Sequence, residues 1–447
     1  MKFNPSRIAG YIQTAVNAEG REKVRDTLSI LRRRVATGVG AVILGLVAIA
    51  FAKLGDTAQR LFLHFNAAWP YGAIILTPAM FAGAVYATKR WVPEARGSGI
   101  PQVIAASRHP SSAASPLVSL KTGMIKLVMT LLMLGAGGSV GREGPTVQVS
   151  AAIMVAVHRM LRVPITAGVL IAGGAAGVAA AFNTPLAGVA FAIEELASAY
   201  EQRVAVLVMA AVMVAGLVTL GVAGDYIYFG AMHQTLNISS MLIVAPVAGI
   251  AGGLTGGLFS RALLAFSASA NPWLMAIKRR PVIFAGLCGL TVAVVGLVTS
   301  GATWGTGYEA TRHLVEAHGG SIWFGAAKFI ATLATALSGA PGGIFAPSLS
   351  VGAGLGDSLT RIFPDDPKGA IVLLGMIGYF VGVVRAPLTA VIIITETTAS
   401  RGMIVPLFAT ALIADLASAL VSRERLYHGL AKPFLHPLPS KSEADRS

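Results

Sequence analysis

Gly141-Arg142-Glu143-Gly144-Pro145-Thr146 returns 202 positions later as Gly343-Ile344-Phe345-Ala346-Pro347-Ser348. The same interval separates Pro185, in Asn183-Thr184-Pro185-Leu186-Ala187-Gly188, from Pro387, in Arg385-Ala386-Pro387-Leu388-Thr389-Ala390. It also pairs Lys126 with Lys328, Gly173 with Gly375 and Glu194 with Glu396. Apolar segments broken by Gly and Pro at matching places in two halves point to a transporter with its site near the membrane midplane.

Composition agrees with a lipid setting. Of 447 residues, 55% are hydrophobic and 12% charged, where a soluble domain carries about 25% charge. Apolar segments recur along the chain, some long enough for a bilayer, which takes about 20 residues, and others too short. Irregular backbone at membrane depth is tolerated only where protein buries it or a cavity is lined by it, so the short segments are expected to be partial or tilted helices around an interior site. The expected fold is an all-α polytopic membrane protein. Its parts are a basic segment over 1–35, a first membrane half over 36–225, a second over 226–432 and a polar tail over 433–447. Gly249-x-x-x-Gly253-x-x-x-Gly257 reads as a small-residue helix contact.

The net charge is +15, with Arg32-Arg33-Arg34 and other cations ahead of the first apolar segment. Basic flanks stay inside, which places the N-terminus in the cytoplasm. Aromatic residues do not interleave these charges, so membrane topology explains them and no nucleic-acid partner is expected. The histidines lack metal-ligand spacing and no serine sits in a nucleophile elbow, so neither a metal, a cofactor nor an enzyme activity is expected.

Each glycine-proline stretch suits a helix N-terminus. Proline is accepted in the first turn, and the exposed N–H groups with the helix dipole attract anions. Glu143 has two readings: an acid stabilising its own helix start, or a carboxylate that competes with an anion and leaves when protonated. Ile344 and Phe345 likewise either open an ordinary helix or offer N–H groups to an anion. In Gly97-Ser98-Gly99-Ile100-Pro101, Ser98 is both a fitting N-cap and a hydroxyl donor. Lys126 and Lys328 either raise the potential for anions or snorkel at helix ends.

In this order, the motifs Gly97 to Pro101, Gly141 to Pro145 and Gly343 to Pro347 resemble those of the CLC family of chloride channels and proton-coupled chloride antiporters. The resemblance runs from about Arg32 to Tyr427. It implies a homodimer, each subunit with its own pore formed by two inverted halves of tilted and partial helices. It implies a central chloride held by Ser98, Tyr427 and the N–H groups of Ile344 and Phe345, with Glu143 as external gate. Gly97, Gly99, Pro101, Gly141, Arg142, Gly144, Pro145, Gly343 and Pro347 complete the motifs. Lys126 matches a recurrent family lysine, while Lys328 stands where relatives often have arginine.

In Phe191-Ala192-Ile193-Glu194-Glu195, Glu194 resembles the family's structural glutamate and Glu195 the internal proton-transfer glutamate of antiporters. An acid within the membrane is a functional hypothesis by default, and an exposed helix-end acid is the alternative. Gln102 and Ile104 depart from antiporters that carry acids there. The resemblance therefore implies chloride–proton exchange, with a passive chloride channel and a fluoride exchanger as alternatives; Ser98 favours chloride over fluoride. Little sequence follows Tyr427, so the paired C-terminal modules of eukaryotic members are not expected and the resemblance is to bacterial-type members; a bacterial inner membrane is the expected location.

Overall fold

The computed structural model describes residues 5–108, 116–197, 202–224 and 227–435, with side chains in the first helix given at Arg25 and from Thr27. His109 and all but the start of the expected polar tail lie outside these residues. Among the described residues there is helix and no strand; one isolated antiparallel bridge joins Gly141 to Gly343.

The first helix, α1 (Pro5–Ala68), runs through position 35 without a break, so the basic segment and the first span are one helix. Its apolar stretch Thr27–Ala68 has 42 residues. At 1.5 Å per residue that is roughly 63 Å, about twice the hydrocarbon thickness of a bilayer. Five helices among the described residues are long and apolar enough to cross a membrane. This is an integral membrane protein.

The repeat covers more of the chain than its sequence motifs do. At the 202-residue interval, α4 (Leu120–Leu134), α5 (Glu143–Met160), α6 (Ala167–Phe182), α7 (Pro185–Phe191) and α8 (Gln202–Ala223) have mates. These are α13 (Phe324–Leu337), α14 (Phe345–Leu359), α15 (Lys368–Val384), α16 (Pro387–Thr398) and α17 (Ile404–Val421). Upstream the interval becomes 208. At that spacing α2 (Ala73–Trp91) matches α11 (Pro281–Val298), and α3 (Ile100–Arg108) matches α12 (Tyr308–Val315). At the same spacing the whole of α9 (Ile238–Ala268) falls on part of α1, while α10 (Pro272–Arg279) and α18 (Leu426–Leu435) have no mates. Both α6 and α15 stop at a left-handed residue, Asn183 at φ 56° and Arg385 at φ 61°. The helices Pro185 and Pro387 begin follow two residues later, with proline in the first turn where its missing N–H costs nothing.

Two glutamates stitch the halves together. Glu194 accepts from the N–H of Leu388 (3.1 Å) and of Thr389 (2.8 Å), at the start of α16. Its mate Glu396 accepts from the N–H of Ala187 (3.1 Å), at the start of α7. Each acid satisfies helix-start donors that would otherwise lack an acceptor in the opposite half.

Glycines bring α9 against its neighbours. Gly249, Gly253 and Gly257 face α17, while Gly252 and Gly256 face α15. A Cβ on Gly256 would lie 2.5 Å from the Tyr379 carbonyl oxygen, whereas one on Gly83 would meet nothing within 4 Å. Gly256→Val is therefore expected to lower the unfolding midpoint of the detergent-solubilised protein, from overpacking of about 1–3 kcal/mol or more. Gly83→Ala should leave it unchanged; equal midpoints for all three proteins would contradict this packing.

Candidate functional site

The site begins where the repeat motifs meet. The N–H of Gly141 donates to the carbonyl of Gly343 at 2.7 Å, and the N–H of Gly343 returns the bond to Gly141 at 2.8 Å. Repeat mates thus pair reciprocally, as a local twofold requires. Both glycines are needed by close approach: a Cβ on Gly343 would lie 2.9 Å from the Gly141 oxygen and 3.0 Å from Pro145. The starts of α5 and α14 consequently face one interior point.

A third chain segment joins them. Gly97 donates to the Gly339 carbonyl at 3.3 Å and accepts from the Gly342 N–H at 3.0 Å. Gly97 and Gly99 are both left-handed, at φ 63° and 107°, which turns the chain so that α3 starts beside α5. A Cβ on Gly144 would strike the Ser98 hydroxyl. Pro101 occupies the second position of α3, and Pro145 and Pro347 each the third of α5 and α14.

Ser98 and Tyr427 are buried, and their hydroxyls are close enough to interact. By strict geometry neither has a hydrogen-bond partner among the described residues. Buried hydroxyls in native proteins are nearly always paired, so two left open at one point suit an acceptor of donors. Tyr427 arrives on α18 and packs on Phe345, with ring centroids 5.9 Å apart. Phe345 also meets Phe182, Phe191 and Phe380, which seal this point with apolar rings. Ile344 and Phe345 stand at the cap and first position of α14, where backbone N–H groups have no intrahelical acceptor.

Glu143 is fully buried and reaches across the local twofold. Its Oε2 accepts from the Ala346 N–H at 3.4 Å, at the start of the opposite half's helix. Its Oε1 accepts a short hydrogen bond from the Tyr308 hydroxyl. Arg142 turns away from this cradle. Its guanidinium donates to the Ala52 carbonyl and to Asp56, both at 2.8 Å, and to the Tyr228 hydroxyl at 2.9 Å. It also lies over the Tyr308 ring at 5.2 Å, which fixes the wall against which Glu143 rests.

The two lysines act on backbone. Lys126 Nζ donates to the carbonyls of Ala95 (2.8 Å), Arg96 (3.3 Å) and Gly97. Lys328 Nζ donates to those of Thr303 and Gly305, both at 2.9 Å. Each fully buried ammonium therefore holds the turn that leads into its half's helix start, α3 or α12.

The polar stretch Ser300 to Ser321 is not loop throughout, because it contains α12. Gly305-Thr306-Gly307-Tyr308 repeats Gly97-Ser98-Gly99-Ile100 at the 208 interval, with Gly305 and Gly307 again left-handed. This stretch delivers Tyr308 to Glu143. Ala346, Tyr308, Tyr228 and Asp56 were all missed; the repeated Gly-x-Gly was the available signal for Tyr308. Glu195 lies buried in the π-helical stretch Ala192–Leu196 that follows α7. It is near Tyr427 and 3.4 Å from His428 Nδ1.

Paired helix starts, buried hydroxyls and a buried acid lying on a helix-start N–H form a cradle whose donors suit an anion. The family described as "Voltage gated chloride channel" matches residues 79–419. This chain belongs to that family. It is 31% identical over 434 residues to the H(+)/Cl(-) exchange transporter ClcA of Yersinia pestis bv. Antiqua (strain Angola), covering 91% of this chain and 88% of that one. Among solved structures it is similar to a slow cyanobacterial Cl-/H+ antiporter, with TM-score 0.78, 24% identity and coverage of 90% of this chain and 98% of that one. A eukaryotic CLC transporter aligns with TM-score 0.72 and 21% identity, over 90% of this chain and 74% of that one.

Proposed function

We propose that this protein exchanges chloride for protons across a membrane, with Glu143 as the outer gate and Glu195 as the inner proton carrier. The observation that carries the reading is the Glu143 carboxylate lying on the Ala346 N–H, within the other half's anion cradle. An ionised acid there competes with chloride for the same donors. Protonated, it gives up its claim on them and chloride takes the place. Chloride itself is held by the Ser98 and Tyr427 hydroxyls and the N–H groups of Ile344 and Phe345. Dipoles rather than full charges bind it, which leaves it free to move on.

The names of the similar transporters support the same substrates. A homodimer, a bacterial inner membrane and a cytoplasmic N-terminus complete the reading, the last supported by Arg32, Arg33 and Arg34 at the head of the first apolar stretch.

The test is a liposome assay in which chloride efflux and proton uptake are recorded together. Exchange requires uphill proton movement driven by a chloride gradient alone. Chloride efflux without proton movement would make the protein a passive channel. Neither flux would refute the transport reading.

Tyr308 gives a separate prediction. Its hydroxyl donates to Glu143, and a hydrogen bond to a charged group is worth about 1.5–3 kcal/mol. Tyr308→Phe is expected to raise chloride efflux at alkaline pH by about tenfold or more, because the ionised gate is held less firmly. Unchanged efflux across the pH range would remove Tyr308 from the gate.

A further inference from the structure

We propose that His428 carries protons between solvent and Glu195. This rests on the reading of Glu195 as the inner proton carrier. The problem it addresses is access: the Glu195 side chain has no exposed surface. Gln102 and Ile104 stand where some antiporters carry acids, and neither substitutes for one. Gln102 is buried, with its amide donating to the carbonyls of Glu94 (3.0 Å) and Arg96 (2.6 Å), and Ile104 is buried and apolar.

His428 meets the need. Its Nδ1 lies 3.4 Å from Glu195 Oε1, while 29% of its side-chain surface remains exposed. By strict geometry neither the Glu195 oxygens nor His428 Nδ1 has another hydrogen-bond partner among the described residues, so the two groups face each other with no competing hydrogen bond. Position on the chain contributes as well. His428 follows Tyr427 on α18, so the helix that supplies a chloride hydroxyl also supplies the imidazole.

Nearby charges are few. Arg425 donates to the Glu194 carbonyl at 3.3 Å and acts on Glu195 from that side. Glu194 is turned to the start of α16, and Glu424 is paired with Lys432 at 2.5 Å. Of the helices packed on α18, α3 carries Arg108, α9 carries Arg261 and α15 carries Lys368, and Arg96 lies over the ring of Phe434 on α18 itself. Among these groups the imidazole alone has one nitrogen to take a proton and another to give one.

The step balances without another reactant. A hydronium ion from solvent gives a proton to Nε2 of the Nδ1–H tautomer and leaves as water, giving an imidazolium. The Nδ1–H bond then breaks toward Glu195 Oε1, which forms an O–H bond. Imidazole is left neutral with its proton on Nε2, and exchange with solvent followed by ring reorientation resets it. In the opposite direction of transport the same steps run in reverse.

The experiment uses the full chain in liposomes, with proton uptake and chloride efflux recorded together against pH. His428→Gln keeps a polar group without a titrating nitrogen. It should lower protons moved per chloride by about 10²-fold, the low end of what a positioned proton-transfer group contributes. His428→Glu, which keeps a group able to take up and release a proton, should restore coupling. His428→Arg, a fixed cation, should not restore it. Unchanged coupling in His428→Gln would overturn the proposal. Equal rescue by Arg and Glu would overturn it too, since His428 would then only position Glu195 by charge. If Glu195→Gln keeps full coupling, the underlying reading of Glu195 fails; if Glu195→Gln loses coupling and His428→Gln does not, only the relay fails.

Discussion

Glu143→Gln is expected to abolish proton movement and the pH dependence of chloride flux while chloride continues to cross. The carboxylate bridges two donors from the second half of the chain, the Ala346 N–H and the Tyr308 hydroxyl. Glutamine's one carbonyl oxygen can accept from the Ala346 N–H while its amide N–H donates to the Tyr308 oxygen, so the shape of the cradle is kept. What it loses is the charge that competes with chloride and the oxygen that accepts a proton. Proton flux should fall by about two orders of magnitude or more. Parallel recording of both ions in liposomes checks this. Residual proton uptake that still tracks pH would show that another group carries the protons.

Glu195→Gln is expected to keep chloride efflux and remove proton coupling by a similar factor, about 10² or more. Glu195 is buried and its neighbour Glu194 is already committed to the start of α16, so the two adjacent acids do different work. Glu194→Gln weakens a contact between the halves, because Leu388 and Thr389 both donate to it. Glu195→Gln leaves that contact intact. A loss of coupling with normal protein yield therefore separates transport from stability. Full coupling in Glu195→Gln would end the assignment of an inner proton carrier.

How much of this was legible in the sequence follows from geometry. The 202-residue interval held wherever the halves keep equal spacing, so Gly141 and Gly343, Lys126 and Lys328, and Glu194 and Glu396 could be matched by number alone. Beyond α4 and α13 the interval shifts by six, and Gly305-Thr306-Gly307-Tyr308 lost its visible tie to Gly97-Ser98-Gly99-Ile100. Tyr308 consequently read as part of a polar loop. Arg142 with Asp56 depends on α1 passing the start of α5, a contact across 86 residues that no local pattern encodes. His428 depends on α18 folding back on α3 beside the end of α7, so its meeting with Glu195 across more than half the chain was equally hidden. The hydrogen bonds of Lys126 and Lys328 to turn carbonyls hold the backbone that orients the helix starts, and no local pattern encodes those contacts.

The most direct test of the account is a crystallographic bromide experiment, with the anion located by its anomalous scattering. The account predicts a peak within hydrogen-bond reach of the Ser98 and Tyr427 hydroxyls and the N–H groups of Ile344 and Phe345, with a second in Glu143→Gln beside the Ala346 N–H. Bromide bound elsewhere in a protein that still transports chloride, with neither position occupied, would contradict it.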